Sequence, residues 1–144
     1  MSEALKSSLF QEFHETTYWI LEGSEPISLR VGQPVPPGLV QVVGGPGVPW
    51  AVLTSCNPLS QAQDTGTNQK LFAAMRQDLL DRGLNQLAGV GVGATHGWLE
   101  PMMLVWPLGF SEAMDLAKGY RQAGLVCPEN GDSGLIGVAM TGLT

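Results

Sequence analysis

Three stretches of the chain repeat their hydrophobic residues every three or four positions, the spacing that produces one apolar face on an α-helix. Residues 3–14 predict a short N-terminal helix. A longer helix is predicted from about Asn68 to Arg82, with Thr67 as its N-cap. A third is predicted from about Ser111, as its N-cap, to near Gly124. The last two would be the main helices of the fold.

Runs of β-branched, aromatic and aliphatic residues predict the strands. The first two runs, Thr16–Leu21 and Ile27–Val31, are separated by Gly-Ser-Glu-Pro and predict a β-hairpin. The nearly continuous apolar run Trp50–Ser55 fits a buried central strand. Further strands are predicted within residues 84–92, 98–106, 125–127 and 134–138.

Glycine and proline interrupt this pattern in two places. Between Gly32 and Pro49 the chain carries many of its prolines and glycines around a short apolar fragment, which predicts a long ordered loop. The glycines of Gly89-Val90-Gly91-Val92-Gly93 are expected to break the strand there and to form a flexible turn. This run does not satisfy the Gly-x-Gly-x-x-Gly dinucleotide-binding pattern.

The order of elements predicts an α/β (α+β) fold of one domain spanning residues 1–144. Two helices that alternate with pairs of strands pack most simply on one face of a mixed or antiparallel sheet. We therefore expect a two-layer sandwich with ferredoxin-like connections, plus the short N-terminal helix.

Charge and composition exclude several classes of partner. The net charge is −6, and the seven basic residues are scattered along the chain, so neither nucleic acid nor an anionic membrane is an expected partner. No secretory signal and no apolar run of membrane-spanning length is visible, which predicts a cytoplasmic protein with two free thiols. Charged residues make up only 14% of the chain, and such a weakly charged surface favours a homo-oligomer.

Five polar residues end or interrupt apolar elements rather than following a solvent-exposed face. Asn57 follows the central strand, where its amide either contacts a ligand or closes an Asx turn before Pro58. Ser60 and Asn68 bracket a polar loop at a helix start, as ligand contacts or as turn and cap residues. Gln122, near a helix end, is either a ligand contact or a helix-end hydrogen bond.

The fifth polar residue is Glu100, which lies in an apolar strand between Leu99 and Pro101. It either points to solvent or is a buried carboxylate whose pKa is raised unless a partner compensates. Perturbed carboxylates of this kind occur at functional sites. The set predicted to bind ligand is Asn57, Ser60, Asn68, Glu100 and Gln122.

Catalytic chemistry is a separate hypothesis. Cys56 as nucleophile, with His96 or Glu100 as base, would suit an amide or ester hydrolase or a deamidase. The competing interpretation is a buried core cysteine. The spacing of Cys, His and acidic residues indicates no metal site, the loop before the second helix lacks a P-loop pattern, and no cofactor is expected.

An ordered set of short motifs resembles a known family. The set comprises Thr54-Ser55-Cys56-Asn57-Pro58-Leu59-Ser60, then Asn68, then Trp98-Leu99-Glu100-Pro101, then Gln122-Ala123. It is similar to the bacterial domain-of-unknown-function family numbered 3293, over most of the chain from about Tyr18 to Val126. The resemblance implies membership of a family and no reaction. Two departures are Ser55, where the family usually has alanine, and Ala94-Thr95-His96, where an Asp-Pro is expected.

Three hypotheses about function remain at this point. The first is a domain that binds a small polar ligand or a peptide through the five polar residues at one end of the sheet. The second is the cysteine-dependent hydrolase or deamidase. The third is a structural or protein-interaction module that uses the segment at residues 32–49 as an interface.

Overall fold

The computed structural model describes residues 3–94, 98–130 and 134–143. In these residues the chain forms four α-helices, one short 3-10 helix at Pro58–Ser60 and seven β-strands. The helices are α1 (Glu3–Glu15), α2 (Pro37–Val43), α3 (Thr65–Asp81) and α4 (Phe110–Gly119). The strands are β1 (Thr17–Ile20), β2 (Ile27–Leu29), β3 (Ala51–Leu53), β4 (Asn85–Val92), β5 (Leu99–Trp106), β6 (Gly124–Pro128) and β7 (Ile136–Met140). None of the helices in the described part of the chain has the length and apolar character needed to cross a membrane.

The strands form one sheet in the order β2-β1-β4-β5-β3-β6-β7. Every neighbouring pair in this order is antiparallel, so the antiparallel form of the predicted sheet is confirmed. The β1–β2 hairpin is also present as predicted.

The sheet curls so that its two edges meet. Immediately after β2, the Gly32 amide donates to the Ile136 carbonyl at 2.7 Å, and the Ile136 amide donates to the Gln33 carbonyl at 2.9 Å. Backbone groups that an open sheet edge would leave unpaired are satisfied at this join. The curl gives the sheet a concave inner face and a convex outer face.

Alternation of side chains along the strands produces one apolar cluster on each face. On β5, Met102 and Leu104 belong to the inner cluster, whereas Met103 and Val105 belong to the outer one. The outer cluster is covered by buried side chains of α3 and α4, including Met75, Leu79, Ala113, Leu116 and Ala117.

The two main helices thus pack on one face, as the sequence predicts, but the ferredoxin-like two-layer arrangement is not confirmed. Leu39 and Val43 of α2 are buried in the inner cluster, and Phe13 of α1 packs against it. Helices therefore cover both faces of the seven-stranded sheet, whereas the prediction placed the main helices on one face of a two-layer sandwich.

The segment at residues 32–49 contains a helix that the prediction of a long loop left out. Pro37 occupies the first turn of α2, where the missing N–H of proline costs no hydrogen bond. Gly44 ends the helix in the left-handed conformation, which glycine adopts without strain. Proline and glycine here mark the two ends of a short helix rather than its absence.

The boundaries of the main helices differ from the prediction. The Asp64 side chain accepts a hydrogen bond from the Thr67 amide and caps α3, which therefore begins at Thr65 rather than near Asn68. Gly109, not Ser111, is the N-cap of α4. That helix ends at Gly119, and Arg121, with a left-handed φ of 60°, lies in the turn that leads to β6.

The glycine-rich run is strand rather than flexible turn, because β4 continues to Val92. A Cβ atom on Gly89 would lie 2.0 Å from the Trp19 carbonyl oxygen, so glycine is required where β1 approaches. Gly91 pairs with both Tyr18 and Glu100, which places these two side chains on either side of it on the inner face. Glycine at position 89 lets β1 lie close to β4, and glycine at position 91 leaves space between the side chains of Tyr18 and Glu100.

Candidate functional site

A cavity of about 440 Å³ opens at one end of the concave inner face. It lies within the ~300–1,000 Å³ range of small-molecule sites in proteins. Its walls come from five strands, β1, β3, β4, β5 and β6, and from α1. Side chains that line it include Phe13, Tyr18, Thr54, Asn57, Trp98, Glu100, Met102 and Gln122.

Glu100 provides a carboxyl group inside this cavity. It lies on β5 directly before the apolar part of that strand, and its side chain is partly buried. Burial raises the pKa of the Glu100 carboxyl to about 7, because desolvation penalises the charged form more than its hydrogen bond to Asn57 stabilises it. At neutral pH this group can hold or release a proton.

Asn57 connects Glu100 to the loop after β3. The Asn57 Nδ2 donates to Glu100 Oε2 at 2.8 Å. Its Oδ1 accepts hydrogen bonds from Asn68 Nδ2 at 2.8 Å and from the Gln63 amide at 3.0 Å. Asn68 Oδ1 in turn accepts from the Asn57 amide at 2.9 Å. The asparagine therefore bridges two parts of the fold as well as shaping its own turn.

The backbone of this loop is strained. Asn57, Leu59 and Ser60 have φ angles of 49°, 56° and 59°, in the left-handed region that non-glycine residues seldom adopt. Asn57 tolerates this conformation better than most residues, but leucine and serine do not have that advantage. Strain of this kind persists only where surrounding contacts impose it, and it concentrates at functional sites. Ser60 is exposed and lines the cavity.

Gln122 joins the same region from the chain segment after α4. It is buried, with 8% of its surface exposed, and its Nε2 donates to the Cys56 carbonyl at 3.0 Å and to the Tyr120 carbonyl at 3.1 Å. The fold thus brings together all five predicted residues. Asn57, Asn68 and Glu100 form a hydrogen-bonded chain, Gln122 holds the backbone next to Asn57, and Ser60 lies at the cavity wall.

Cys56 lies beside this site but is not among the residues that line the cavity. The side chain is fully buried, and its thiol donates to the Asn68 carbonyl at 3.8 Å. Burial raises the pKa of the Cys56 thiol, which disfavours the thiolate that a nucleophile requires. His96, its proposed base, lies outside the described residues.

Two further residues, Thr54 and Tyr18, belong to the site but are not among the five predicted from the sequence. The Thr54 hydroxyl donates to the Pro101 carbonyl at 2.7 Å and accepts from the Cys56 amide at 3.1 Å, so it fixes the loop start against β5. Tyr18 lies across Gly91 from Glu100, and burial raises the pKa of its hydroxyl. Period-two alternation places both side chains on a face, but the strand order that makes them neighbours of Glu100 is not visible in the sequence.

Within the residues that the structure describes, no group of three or more His, Cys, Asp or Glu side chains has the geometry of a metal site. The polar residues of the cavity are instead amides, hydroxyls, the partly buried carboxyl of Glu100 and the exposed carboxylates of Glu12 and Glu15, which suit hydrogen bonding to an organic ligand.

Comparison with known proteins gives one match. The family model described as "Protein of unknown function (DUF3293)" matches residues 53–125, just over half of the chain. The matched range includes the Thr54–Ser60 loop, Asn68, Glu100 and Gln122. No curated protein and no solved structure matches the chain.

Proposed function

The chain belongs to the DUF3293 family, whose function is unknown, and we propose that it binds a small polar ligand in the inner cavity. One observation carries this proposal: a partly buried carboxyl, Glu100, is held by Asn57 inside a cavity large enough for a small molecule. An ionisable group in this position lowers the stability of the protein, and a residue with a purely structural role would not need to be ionisable.

The residues have different roles in this proposal. Glu100 contacts the ligand directly, and Ser60 offers a hydroxyl at the wall. The Thr54 hydroxyl is already engaged with the backbone of Pro101 and Cys56 and holds the loop. Asn57 and Asn68 position the carboxyl and the loop, because both amides are engaged in hydrogen bonds with the protein. A small molecule fits better than a peptide because the site is a cavity inside the curled sheet rather than an open strand edge.

Thermal unfolding in the presence of a panel of amino acids, amines, nucleotides and organic acids tests the proposal. A ligand that binds the native state raises the Tm in a concentration-dependent way. We expect at least one compound to do so with the wild-type protein, and Glu100→Gln to lose the shift. Glu25→Gln is the matched control, because Glu25 is an exposed carboxylate in the turn between β1 and β2, outside the cavity.

A second variant fills part of the cavity while every polar side chain of the site stays unsubstituted. A Cβ on Gly91 would lie 3.5 Å from the Thr16 side chain and 3.6 Å from the Tyr18 ring, at ordinary contact distances. A Cβ at this position is therefore accommodated, and the γ-methyl groups of Gly91→Val should fill part of the cavity. If compounds stabilise wild type, Gly91→Val and Glu100→Gln equally, they bind elsewhere and the proposal fails.

The hydrolase hypothesis receives less support from the geometry, because Cys56 is buried among core atoms. Its test is alkylation of the native protein by iodoacetamide at neutral pH, followed by mass spectrometry. We expect both cysteines to react slowly in the folded protein and rapidly in urea, since burial raises both thiol pKa values. Rapid modification of native Cys56 would favour the hydrolase instead.

A further inference from the structure

The inner cavity combines a carboxyl group with a lining that is otherwise uncharged or acidic. Among the described residues that line it, the charged ones are Glu12, Glu15 and Glu100, and none is lysine, arginine or histidine. Glu12 and Glu15 are exposed on α1 near the opening, whereas Glu100 lies inside. The potential in such a cavity is negative whenever Glu100 is ionised, so phosphates and carboxylates are repelled from it.

The carboxyl of Glu100 has only a neutral partner in the described residues. A carboxylate can accept about four hydrogen bonds, and the one shown by the structure comes from the Asn57 amide, on Oε2. An amide neutralises no charge. A cation that entered the cavity would supply both the missing counter-charge and further N–H donors.

The remaining walls are apolar and aromatic. Phe13, Tyr18, Trp98 and Met102 line the space around Glu100. Such walls suit hydrocarbon and the flat face of a delocalised cation, which aromatic rings attract. They do not suit a hydrated metal ion, which requires several oxygen ligands.

We propose that the ligand of this cavity is a small organic cation, an alkylammonium or alkylguanidinium group whose N–H donors bind the Glu100 carboxylate while its hydrocarbon part packs against the aromatic walls. This inference rests on the ligand-binding function proposed above. It adds the chemical class of the ligand and predicts that the site discriminates by charge.

A matched set of probes separates charge from shape. Butylamine, butylguanidine, 1-butanol and butyrate share one alkyl chain and differ in charge. Isothermal titration calorimetry and amide chemical-shift mapping of the whole chain would measure affinity and location. We expect one or both cations to bind at least about tenfold more tightly than the alcohol, and butyrate to bind most weakly.

Two further readouts connect the binding to Glu100. The affinity for the cation should increase from pH 5.5 to pH 8, because ionisation of the carboxyl, with a pKa of about 7, creates the binding partner. Glu100→Gln should remove at least about tenfold of the affinity together with this pH dependence. Glu25→Gln should leave both unchanged, and amide mapping of each variant shows that it is folded.

The outcomes distinguish this inference from the function on which it rests. If the alcohol or butyrate binds in the cavity as tightly as the cations do, the cavity is a ligand site but the inference is wrong. If neither cation shifts signals of cavity residues at millimolar concentration, the inference is also overturned. In that case the broader thermal panel decides separately whether the cavity binds any ligand.

Discussion

The two faces of the sheet place their carboxylates in opposite environments. On the outer face, Asp78 of α3 lies near the surface, and the hydroxyl of Tyr120 donates to it. The pKa of Asp78 is lowered by this hydrogen bond and by Arg82. On the inner face, burial raises the pKa of Glu100 to about 7.

From this difference we expect the outer face to contribute mainly to stability and the open end of the inner face mainly to ligand binding. The outer face is filled by hydrocarbon under α3 and α4, and its polar contacts at the margin stabilise charged groups. The inner face has a hydrocarbon core as well, but its open end keeps a carboxyl in an environment that disfavours its charge. We therefore expect core substitutions on the outer face to affect unfolding, and substitutions at the inner end to affect ligand binding and pH dependence.

The largest expected effect comes from the outer core. Leu79 is fully buried between α3 and the sheet, and Leu79→Ala should lower the free energy of unfolding by about 2–5 kcal/mol because it leaves a cavity. Urea denaturation measures this effect. Leu80→Ala is the control, since Leu80 is 62% exposed on the same helix and should change little.

The comparison between the faces requires that the Leu79 variant, where it is folded, binds ligand as the wild type does. Equal losses of stability from Leu79→Ala and Leu80→Ala would mean that the outer face is not the tightly packed core described above.

The second effect is a pH dependence that Glu100 contributes. Between the ordinary pKa of 4.5 and the folded value of about 7, the native state holds a proton that the unfolded state has lost. Stability from this group therefore falls as pH rises through that window, by up to ~3 kcal/mol. Glu100→Gln should remove this decline, so its stability relative to wild type should increase from pH 4.5 to pH 8.

Urea denaturation of wild type, Glu100→Gln and Glu25→Gln across this range isolates the contribution. Glu25→Gln should follow the wild-type profile. If Glu100→Gln kept the wild-type decline, the carboxyl would not be desolvated and the contrast with Asp78 would disappear.

The sequence predicted the elements of the outer face better than the shape of the inner one. The spacing of Met75 and Leu79 predicts a helix with one buried side, and in the structure both residues are buried on α3. The curl of the sheet depends on hydrogen bonds between Gly32, Gln33 and Ile136, which are about a hundred residues apart and leave no periodic signal. The two-layer prediction missed the curl for this reason.

The same distinction applies to the cavity. Asn57 and Glu100 stood out because each interrupts or ends an apolar run, which is a local signal. Their mutual hydrogen bond and the cavity beside them depend on strand order, in which β5 lies between β4 and β3. Gly91 was interpreted as a turn residue, although its lack of a side chain leaves space between Tyr18 and Glu100.

A smaller effect is expected at the loop that holds Glu100. Asn57→Ala removes the donor to Glu100 and the side-chain oxygen that accepts from Asn68 Nδ2, which should lower the free energy of unfolding by about 1–3 kcal/mol. Asn57→Gly loses the same side chain but adopts a φ of 49° without strain, so it should be the more stable of the two variants.

Urea denaturation at pH 6 compares these variants with Gln61→Ala, an exposed position in the same loop. Identical stability of Asn57→Ala and Gln61→Ala would show that the side-chain hydrogen bonds of Asn57 do not stabilise the loop after β3.

The smallest effect should come from the margin of the outer face. Tyr120→Phe removes the hydrogen bond to Asp78 and should cost about 1 kcal/mol or less at neutral pH, because Asp78 is near solvent. The pKa of Asp78 is lowered in the folded state, so this contribution is present above its ordinary value of 3.8 and is lost as pH falls through the lower folded value. The difference in stability between wild type and Tyr120→Phe should therefore shrink as pH falls from 5 to 2. The stability of wild type minus that of the variant should therefore fall with rising pH for Glu100→Gln and rise with pH for Tyr120→Phe. Slopes of the same sign in these two differences would contradict the contrast between the faces.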